Sequence, residues 1–367
     1  MDITLIVLSA GNSTRFNSIT KKQWLRVDNK PLWKFVADRL NSFYNFKETI
    51  ITANENETKL YELLSDYKII KGDKTRQLSL KNAVSNVNTK YVLVTDVARA
   101  CVPKEIILNL INNIQNFDCI VPYLKPVDTI VYENTTIDRE KVKLIQTPQL
   151  SLTKTLKKAL NTDIEYTDDS SVIKAIGGKI NYILGSEESK KITFKGDEKL
   201  SCLKPNKNYI FSGNGYDIHQ FEDNKKMVLC GVEIESPFGF KAHSDGDVAI
   251  HSIIDALLGA AGYSDIGEFF PDNDPAFKGA DSKKLLKYVV NLLETTGFEI
   301  INIDVTIIAQ TPKLSPYKKE MKKMITKLTH CENVNIKATT NEKLDSIGQK
   351  KAIAVISNAN ITYKEEK

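Results

Sequence analysis

The chain reads as two α/β domains in series: first a doubly wound, mainly parallel sheet, then a smaller α/β domain. Three observations predict this. Short apolar runs of strand length alternate with helical stretches through roughly the first 200 residues, the pattern of strands buried on both faces between crossover helices. At 367 residues the chain is long enough for two separate cores. Three of its four histidines crowd into the stretch from Ser212 to His251, beyond the alternating pattern.

Taken in order, Thr4–Leu8 is the first buried strand, followed by the loop Ser9-Ala10-Gly11-Asn12-Ser13-Thr14-Arg15-Phe16 and then Lys21-Lys22-Gln23. Pro31 stands where a helix to Phe43 begins. Further strands are expected near Thr49–Ala53, Lys68–Lys71, Tyr91–Thr95, Cys119–Tyr123 and Lys179–Leu184. A doubly wound sheet holds its ligand beyond the carboxyl ends of the strands. The first loop therefore qualifies as a phosphate cradle, with Arg15 and Lys22 supplying fixed positive charge. It is neither a Walker A loop nor a GxGxxG fingerprint, and an ordinary loop with stray basic residues reads equally well. From Lys195 to Ile210 the chain is polar without a core period, which suggests that the last strand of the first domain ends near there. The expected bounds are 1–200, a linker at 201–210, and 211–367.

In the second domain Asp217 and His219 are two apart, so on a strand they share a face. His251 falls six residues into a run after Ser244, which is placed to cap a helix with Asp247 three residues on. Asp-x-His on a strand plus one His on a helix gives three N/O ligands and one open position, the composition of a catalytic zinc site. Two surface histidines without a metal are the plainer alternative. Asp247 or Asp255, each four residues from His251, could accept from its second nitrogen. His330, beside Cys331, receives no role.

A formal charge of +5 spread among many acids, without basic clusters interleaved with aromatics, argues against nucleic-acid binding. The apolar run Ile3–Ala10 is too short to span a membrane and lacks the basic flank of a signal peptide. Five cysteines without a CxxC pair read as reduced thiols of a cytoplasmic protein.

Two ordered sets of motifs go further. His243-Ser244-Asp245-Gly246-Asp247, Ser264-Asp265-Ile266-Gly267-Glu268-Phe269-Phe270-Pro271-Asp272, Asp304 to Gln310 and Lys337-Ala338-Thr339-Thr340-Asn341-Glu342-Lys343-Leu344 resemble 2-C-methyl-D-erythritol 2,4-cyclodiphosphate synthase, from about Ser212 to Ile361. Gly72 to Ser79, Val92 to Arg99, Pro126-Val127-Asp128-Thr129, Asp138-Arg139, Gln146-Thr147-Pro148-Gln149, Thr167-Asp168-Asp169 and Lys191-Ile192-Thr193 make roughly residues 1 to 200 similar to 2-C-methyl-D-erythritol 4-phosphate cytidylyltransferase, a Rossmann-like nucleotidyltransferase domain. There are departures. Ser13 stands for a usual Gly, Lys21 for a usual Pro, and Asp96-Val97-Ala98-Arg99-Ala100 for Asp-Ala-Ala-Arg-Pro. Asp169 replaces a Glu.

The cytidylyltransferase resemblance implies transfer of CMP from CTP to methylerythritol phosphate with release of pyrophosphate. It puts Arg15, Lys22 and Lys191 around the α-phosphate, with Gly11, Asp73 and Ser79 nearby. Asp96 then holds Mg²⁺ or a similar cation with the nucleotide, and Asp128, Arg139, Thr147 and Thr167 hold the methylerythritol phosphate. A surface ion pair of Arg139 with Asp138 or Glu140 is the alternative for that residue. The second implies closure of CDP-methylerythritol 2-phosphate to the cyclic diphosphate with release of CMP. It puts zinc on Asp217, His219 and His251, Mg²⁺ on Glu342, and Thr340 on the α-phosphate. His243 and Ser244 serve an anion at a helix N-terminus, Asp265 and Gly267 the ribose and methylerythritol, and Ala309 and Lys313 the cytosine. Gln349 stands where some relatives carry an Arg facing an axial cavity, so no tight prenyl diphosphate is expected.

The cyclase family forms trimers with shared sites and the transferase family forms arm-exchanging dimers, here through Pro126 to Thr147. A chain keeping both closes as a hexamer of two trimers; a plain trimer is the alternative. Two competing functions are a zinc hydrolase fused to a sugar-phosphate nucleotidyltransferase, and a C-terminal domain that only scaffolds.

Overall fold

The computed structural model describes residues 1–197, 199–200, 202–203, 209–242, 244–271, 273–277 and 279–364. The chain divides into two compact units, Met1–Asn206 and Lys207–Lys367. Most of the expected linker 201–210 lies outside the described residues. No helix among them is long and apolar enough to cross a membrane.

The first unit begins with β1 (Ile3–Leu8), buried at every position. After two 3₁₀ turns, Thr14–Phe16 and Lys22–Trp24, come the short ribbon β2 (Arg26–Val27) and β3 (Lys30–Pro31) and helix α1 (Leu32–Phe43), with Pro31 as its N-cap. Then β4 (Glu48–Ala53), α2 (Thr58–Leu64), β5 (Lys68–Lys71), α3 (Arg76–Ser85), β6 (Tyr91–Asp96), α4 (Lys104–Asn113) and β7 (Cys119–Leu124) alternate as expected. An exposed hairpin, β8 (Ile130–Tyr132) and β9 (Thr135–Ile137), precedes β10 (Leu144–Ile145), β11 (Gln149–Leu152), α5 (Thr153–Ala159), α6 (Asp169–Ala175) and β12 (Ile180–Leu184).

The main sheet runs β10-β7-β11-β6-β1-β4-β5, with β12 also on β7. The pairs β1–β4, β1–β6, β4–β5 and β7–β12 are parallel. β11 enters antiparallel between β6 and β7. Its buried sequence Gln-Leu-Ser-Leu carries no apolar run, which is why the hydrophobic pattern does not reveal it. From β1 the chain moves to β4 and β5 on one side, then to β6 on the other. Leu8 and Asp96 are register partners at the carboxyl ends, so the switch point opens between the β1 loop and Asp96.

Two expectations are corrected. The last strand of this unit among the described residues is β12; beyond it Ile192 is buried and donates its N–H to the Ala98 carbonyl at 2.8 Å, without forming a ladder. Nor are all five cysteines free thiols. Cys101 and Cys202 form a disulfide with a Cα separation of 5.6 Å, while Cys119, Cys230 and Cys331 are free and buried. Local spacing carries no sign of a bond between residues 101 apart.

The second unit opens with β13 (Ile210–Asp223), the hairpin β14 (Met227–Leu229) and β15 (Val232–Ile234), and β16 (Phe238–Phe240). Helices α7 (Val248–Ala261), α8 (Ile266–Phe269) and α9 (Ser282–Thr295) follow, then β17 (Phe298–Ile308), α10 (Lys318–Thr329), β18 (Val334–Thr339), α11 (Asp345–Gly348) and β19 (Ala352–Tyr363). The sheet order is β16-β13-β19-β17-β18.

Helix α7 lies directly on β13. Residues 213, 215, 217 and 219 share the inward face of the strand. A methyl group on Gly213 would run into the Ala256 carbonyl, and one on Gly215 into the Ser252 carbonyl. As the strand advances from Gly213 to Gly215, its neighbours on α7 step back from Ala260 and Ala256 to Ser252. The next residues on that face, Asp217 and His219, therefore meet the first turn of α7, where His251 projects. Gly215→Ala is expected to cost about 1–3 kcal/mol by overpacking. It should lower the thermal transition of the second unit while leaving that of the first in place; a transition within a degree of wild type would contradict the close approach.

Candidate active sites

The first site is a cavity of about 880 Å³ at the switch point, lined among others by Gly11, Arg15, Lys22, Asp73, Ser79, Asp96 and Lys191. Buried Phe16 anchors the turn that carries Arg15. Ser79 accepts from the Asp73 N–H at 2.9 Å and donates to the Thr75 carbonyl at 2.9 Å, folding the turn ahead of α3. Lys191 is held by the Ile192–Ala98 bond and donates to Asp96 Oδ2 at 2.6 Å.

Arg76, which the sequence motif contains without a role, is central. Its Nε donates to Asp96 Oδ1 at 2.9 Å and its Nη1 to Asp169 Oδ1 at 2.8 Å. Burial disfavours the guanidinium charge, but Asp169 and Asp96 outweigh burial and raise its pKa. Burial likewise pushes Asp96 up, but Arg76 and Lys191 overcome it and hold the carboxyl well below the usual range. Asp169 goes the other way: burial raises it despite Arg76. Arg99, quoted in the same motif, donates to the Ser189 carbonyl at 2.7 Å and so ties down the segment before Lys191.

Thr147 is buried and accepts from the Asp96 N–H at 3.3 Å, behind the cavity rather than in it. Asp128, Arg139 and Thr167 are exposed and do not line the cavity. Arg139 donates to the Val127 carbonyl at 2.5 Å, and Lys141 and Lys125 pair with Asp138 and Glu140 instead.

The second site is a cavity of about 300 Å³ lined by Asp217, His219, Ser244, His251, Asp255 and Gly267, among others. Asp217 Oδ2 lies 3.2 Å from His219 Nε2 and 3.2 Å from His251 Nδ1. One ligand atom from each residue falls within 4.8 Å of the other two, the only such group among the described residues. The opposite nitrogens are occupied: His219 Nδ1 is 3.0 Å from the Gly246 carbonyl, and His251 Nε2 is 3.0 Å from Ser282 Oγ and 3.3 Å from Ser244 Oγ. Burial disfavours a charged His251, but its hydrogen bond to Asp217 and the nearby Asp217, Asp247 and Asp245 charges raise its pKa. A carboxylate oxygen and two imidazole nitrogens turned toward one point fit a divalent cation.

Three local expectations change here. Helix α7 starts at Val248 with Asp247 as N-cap, accepting from Ile250 N at 3.0 Å; Ser244 instead closes the preceding turn on Gly246 N at 3.1 Å. Ser244 is thus not at the helix N-terminus, and His243 lies outside the described residues. Neither Asp247 nor Asp255 supports His251. Fully buried Asp247 is taken up by the N–H groups of Cys230, Gly231 and Ile250, and burial pushes its pKa up to about 6. Asp255 accepts from Ile266 N at 2.8 Å. Ser282 fills that role, backed by Asp245. Asp265 caps α8 on Glu268 N at 3.0 Å.

Ala309, Lys313, Thr340 and Glu342 do not line this cavity. They follow β17 and β18, and Thr340 Oγ1 donates to Glu342 Oε1 at 3.2 Å. Register partners Asp217, Val355, Ile307 and Ala338 put both groups at one end of the sheet. β18, which leads to Thr340 and Glu342, stands three strand spacings from β13, roughly 14 Å, and β17, which leads to Ala309 and Lys313, two.

Residues 3–201 match the model of 2-C-methyl-D-erythritol 4-phosphate cytidylyltransferase, and residues 210–362 that of the YgbB family. A bifunctional enzyme IspD/IspF of Aliarcobacter butzleri is 56% identical over 99% of this chain and 98% of its own. The chain belongs to the bifunctional IspD/IspF family. The corresponding enzyme of Campylobacter fetus is 52% identical over 99% of this chain and 98% of its own. The solved bifunctional IspDF of Campylobacter jejuni superposes with a TM-score of 0.86 at 47% identity, over 100% of this chain and 99% of that one. The IspD unit transfers CMP from CTP to 2-C-methyl-D-erythritol 4-phosphate with release of pyrophosphate. The IspF unit cyclises CDP-methylerythritol 2-phosphate with release of CMP. Both are steps of the methylerythritol phosphate route to isoprenoids.

Lys22 in the IspD cavity makes a pH test. Burial first, then Lys191 and Arg15, lower its pKa to about 8. A bound triphosphate favours the charged form and raises that value. CTP binding at pH 8 is therefore expected to take up roughly half a proton per site. Titration calorimetry in buffers of different ionisation enthalpy measures this, and heats independent of buffer would contradict it.

Proposed function

We propose that the two reactions are carried by the residues gathered in the two cavities, and that the cation of the IspF site is zinc. The observation that carries this reading is the convergence of Asp217 Oδ2 with one ring nitrogen each of His219 and His251.

In cytidylyl transfer, charge builds on the oxygens around the α-phosphorus and on the departing pyrophosphate, so fixed cations do the work. Arg15, Lys22 and Lys191 supply them, with Gly11, Asp73 and Ser79 shaping the loops around the nucleotide. Lys191 rests on Asp96 and turns to the phosphate when CTP arrives; Asp96 would then hold the Mg²⁺, which would offset the charge of the triphosphate. Magnesium commonly takes one or two carboxylates plus substrate phosphates, which suits both Asp96 and Glu342. Asp128, Arg139 and Thr167, exposed near the hairpin and α6, receive the methylerythritol phosphate; Thr147 orients Asp96 from behind.

In cyclisation, zinc when bound supplies Lewis acidity and a template for diphosphate oxygens. Asp217, His219 and His251 hold it, and Ser282 with Asp245 fixes the His251 ring. Asp265 and Gly267 frame the ribose and methylerythritol, and Ser244, with His243 before it in the sequence, serves the phosphate. Thr340 orients the α-phosphate, while Ala309 and Lys313 take the cytosine. A separation of roughly 14 Å between the metal ligands and Thr340 favours a site completed by a neighbouring chain. A trimer through the IspF units and a dimer through the hairpin arms then close as six chains, in the cytoplasm.

His219→Ala and His251→Ala should each abolish cyclisation and stoichiometric zinc, with cytidylyl transfer near normal; retained zinc in the double variant would refute the ligand set. Light scattering should give roughly six times the chain mass. A trimer with full transferase activity would show that the arm exchange is dispensable.

A further inference from the structure

The loop carrying Arg15 and Lys22 hangs on a buried carboxylate that never reaches the cavity. Glu57 sits at the start of α2 with its side chain 5% exposed. Lys21 Nζ is ion-paired to Glu57 Oε1. Glu57 Oε2 accepts from Gln23 Nε2 at 3.4 Å, and the same amide nitrogen donates to the Gly11 carbonyl at 3.0 Å. On its other side Gln23 Oε1 accepts from Ser13 Oγ at 2.9 Å, and Ser13 Oγ accepts from the Lys22 N–H at 3.1 Å.

One connected path thus runs from Glu57 through Gln23 to two points in the loop, Gly11 and Ser13, and to the backbone of Lys22. Ser13 stands at φ 55°, in the left-handed region that disfavours a side chain. Glycine would be easier there, but it has no hydroxyl to join Gln23 to Lys22. Lys21 occupies a place where proline would stiffen the chain covalently; here the stiffening comes from an ion pair. Ser13 thus bonds Gln23, Lys21 pairs with Glu57, and Gln23 and Glu57 bond each other. Neither Lys21 nor Glu57 lines the cavity.

We propose that Glu57 is a positioning residue for cytidylyl transfer: through Gln23 and Lys21 it fixes the phosphate loop in its binding geometry before CTP arrives. The proposal rests on the assignment of Arg15 and Lys22 to the triphosphate. A loop held in place in advance binds with less ordering cost and presents its cations at the right distance.

The test is steady-state cytidylyl transfer by the full-length chain, varying CTP and methylerythritol phosphate separately. Glu57→Ala is expected to raise KM for CTP roughly tenfold and to lower kcat several-fold, with KM for methylerythritol phosphate unchanged. Glu57→Gln, which keeps an acceptor for Gln23, should restore most of the loss. Lys21→Met leaves the buried carboxylate unpaired and should also raise KM for CTP, whereas Lys21→Met with Glu57→Gln should perform better than Lys21→Met alone. Near-UV circular dichroism of the packed Trp24, Trp33 and Tyr61 rings reports folding. If Glu57→Ala fails that check, the Lys21→Met pair decides the matter. KM for CTP within twofold of wild type in folded Glu57→Ala, equal shifts in both KM values, or additive losses in the Lys21 pair would overturn the proposal. Arg15→Ala, run alongside, separates the two levels. A loss on the order of 10²–10³-fold there with unaffected Glu57 variants removes only the positioning role; full activity of Arg15→Ala removes the site assignment as well.

Discussion

The closeness of α7 to β13 is the constraint on which the IspF unit depends. Side-chain-free positions at Gly213 and Gly215 let helix backbone rest on strand backbone, and that distance puts His251 within reach of Asp217 and His219. The register is secured from both sides. Asp247, fully buried, ties the first turn of α7 to the N–H groups of Cys230 and Gly231, and Ser252 meets Ser357 of β19 at 2.6 Å. A carboxylate in that position costs free energy unless several donors meet it; three N–H groups do. The three side chains that could hold a cation are therefore positioned by rigid elements, not by a loop.

The IspD unit solves a related problem with charge. Half-buried Arg76 packs against buried Asp96 and Asp169, and removing such groups from water costs several kcal/mol per ion before pairing offsets it. Among the described residues Arg76 Nη2 and Asp169 Oδ2 of this cluster have no hydrogen-bond partner. Its value lies in keeping Asp96 ionised and oriented at the carboxyl end of β6, with Lys191 on its free oxygen.

Much of this was legible in the sequence, for physical reasons that can be named. Strands buried on both faces must be apolar along their length, so β1, β4, β6 and β7 stand out as runs. β11 does not, because Gln149 and Ser151 are buried polar residues; Gln149 bonds Asp168 and the Ser170 N–H. Period-two spacing was enough to put Asp217 and His219 on one face. The partner of His251 was not legible, since helical spacing favoured Asp247 and Asp255 over Ser282, which is 31 residues away. Asp247 is spent on capping, a choice that four-residue spacing cannot reveal. Arg76 was visible as a motif letter only; its function depends on two acids 20 and 93 residues distant. The Cys101–Cys202 bond was hidden for the same reason.

The central claim is that one strand and one helix, packed backbone to backbone, present two imidazoles and one carboxylate to a single zinc ion. X-ray absorption at the metal K edge of the purified protein addresses it directly. The account predicts a zinc edge with only nitrogen and oxygen neighbours, at about 2.0–2.2 Å, and the outer-shell scattering of two imidazole rings. A sulfur shell near 2.3 Å, or an all-oxygen shell without imidazole scattering, would contradict it.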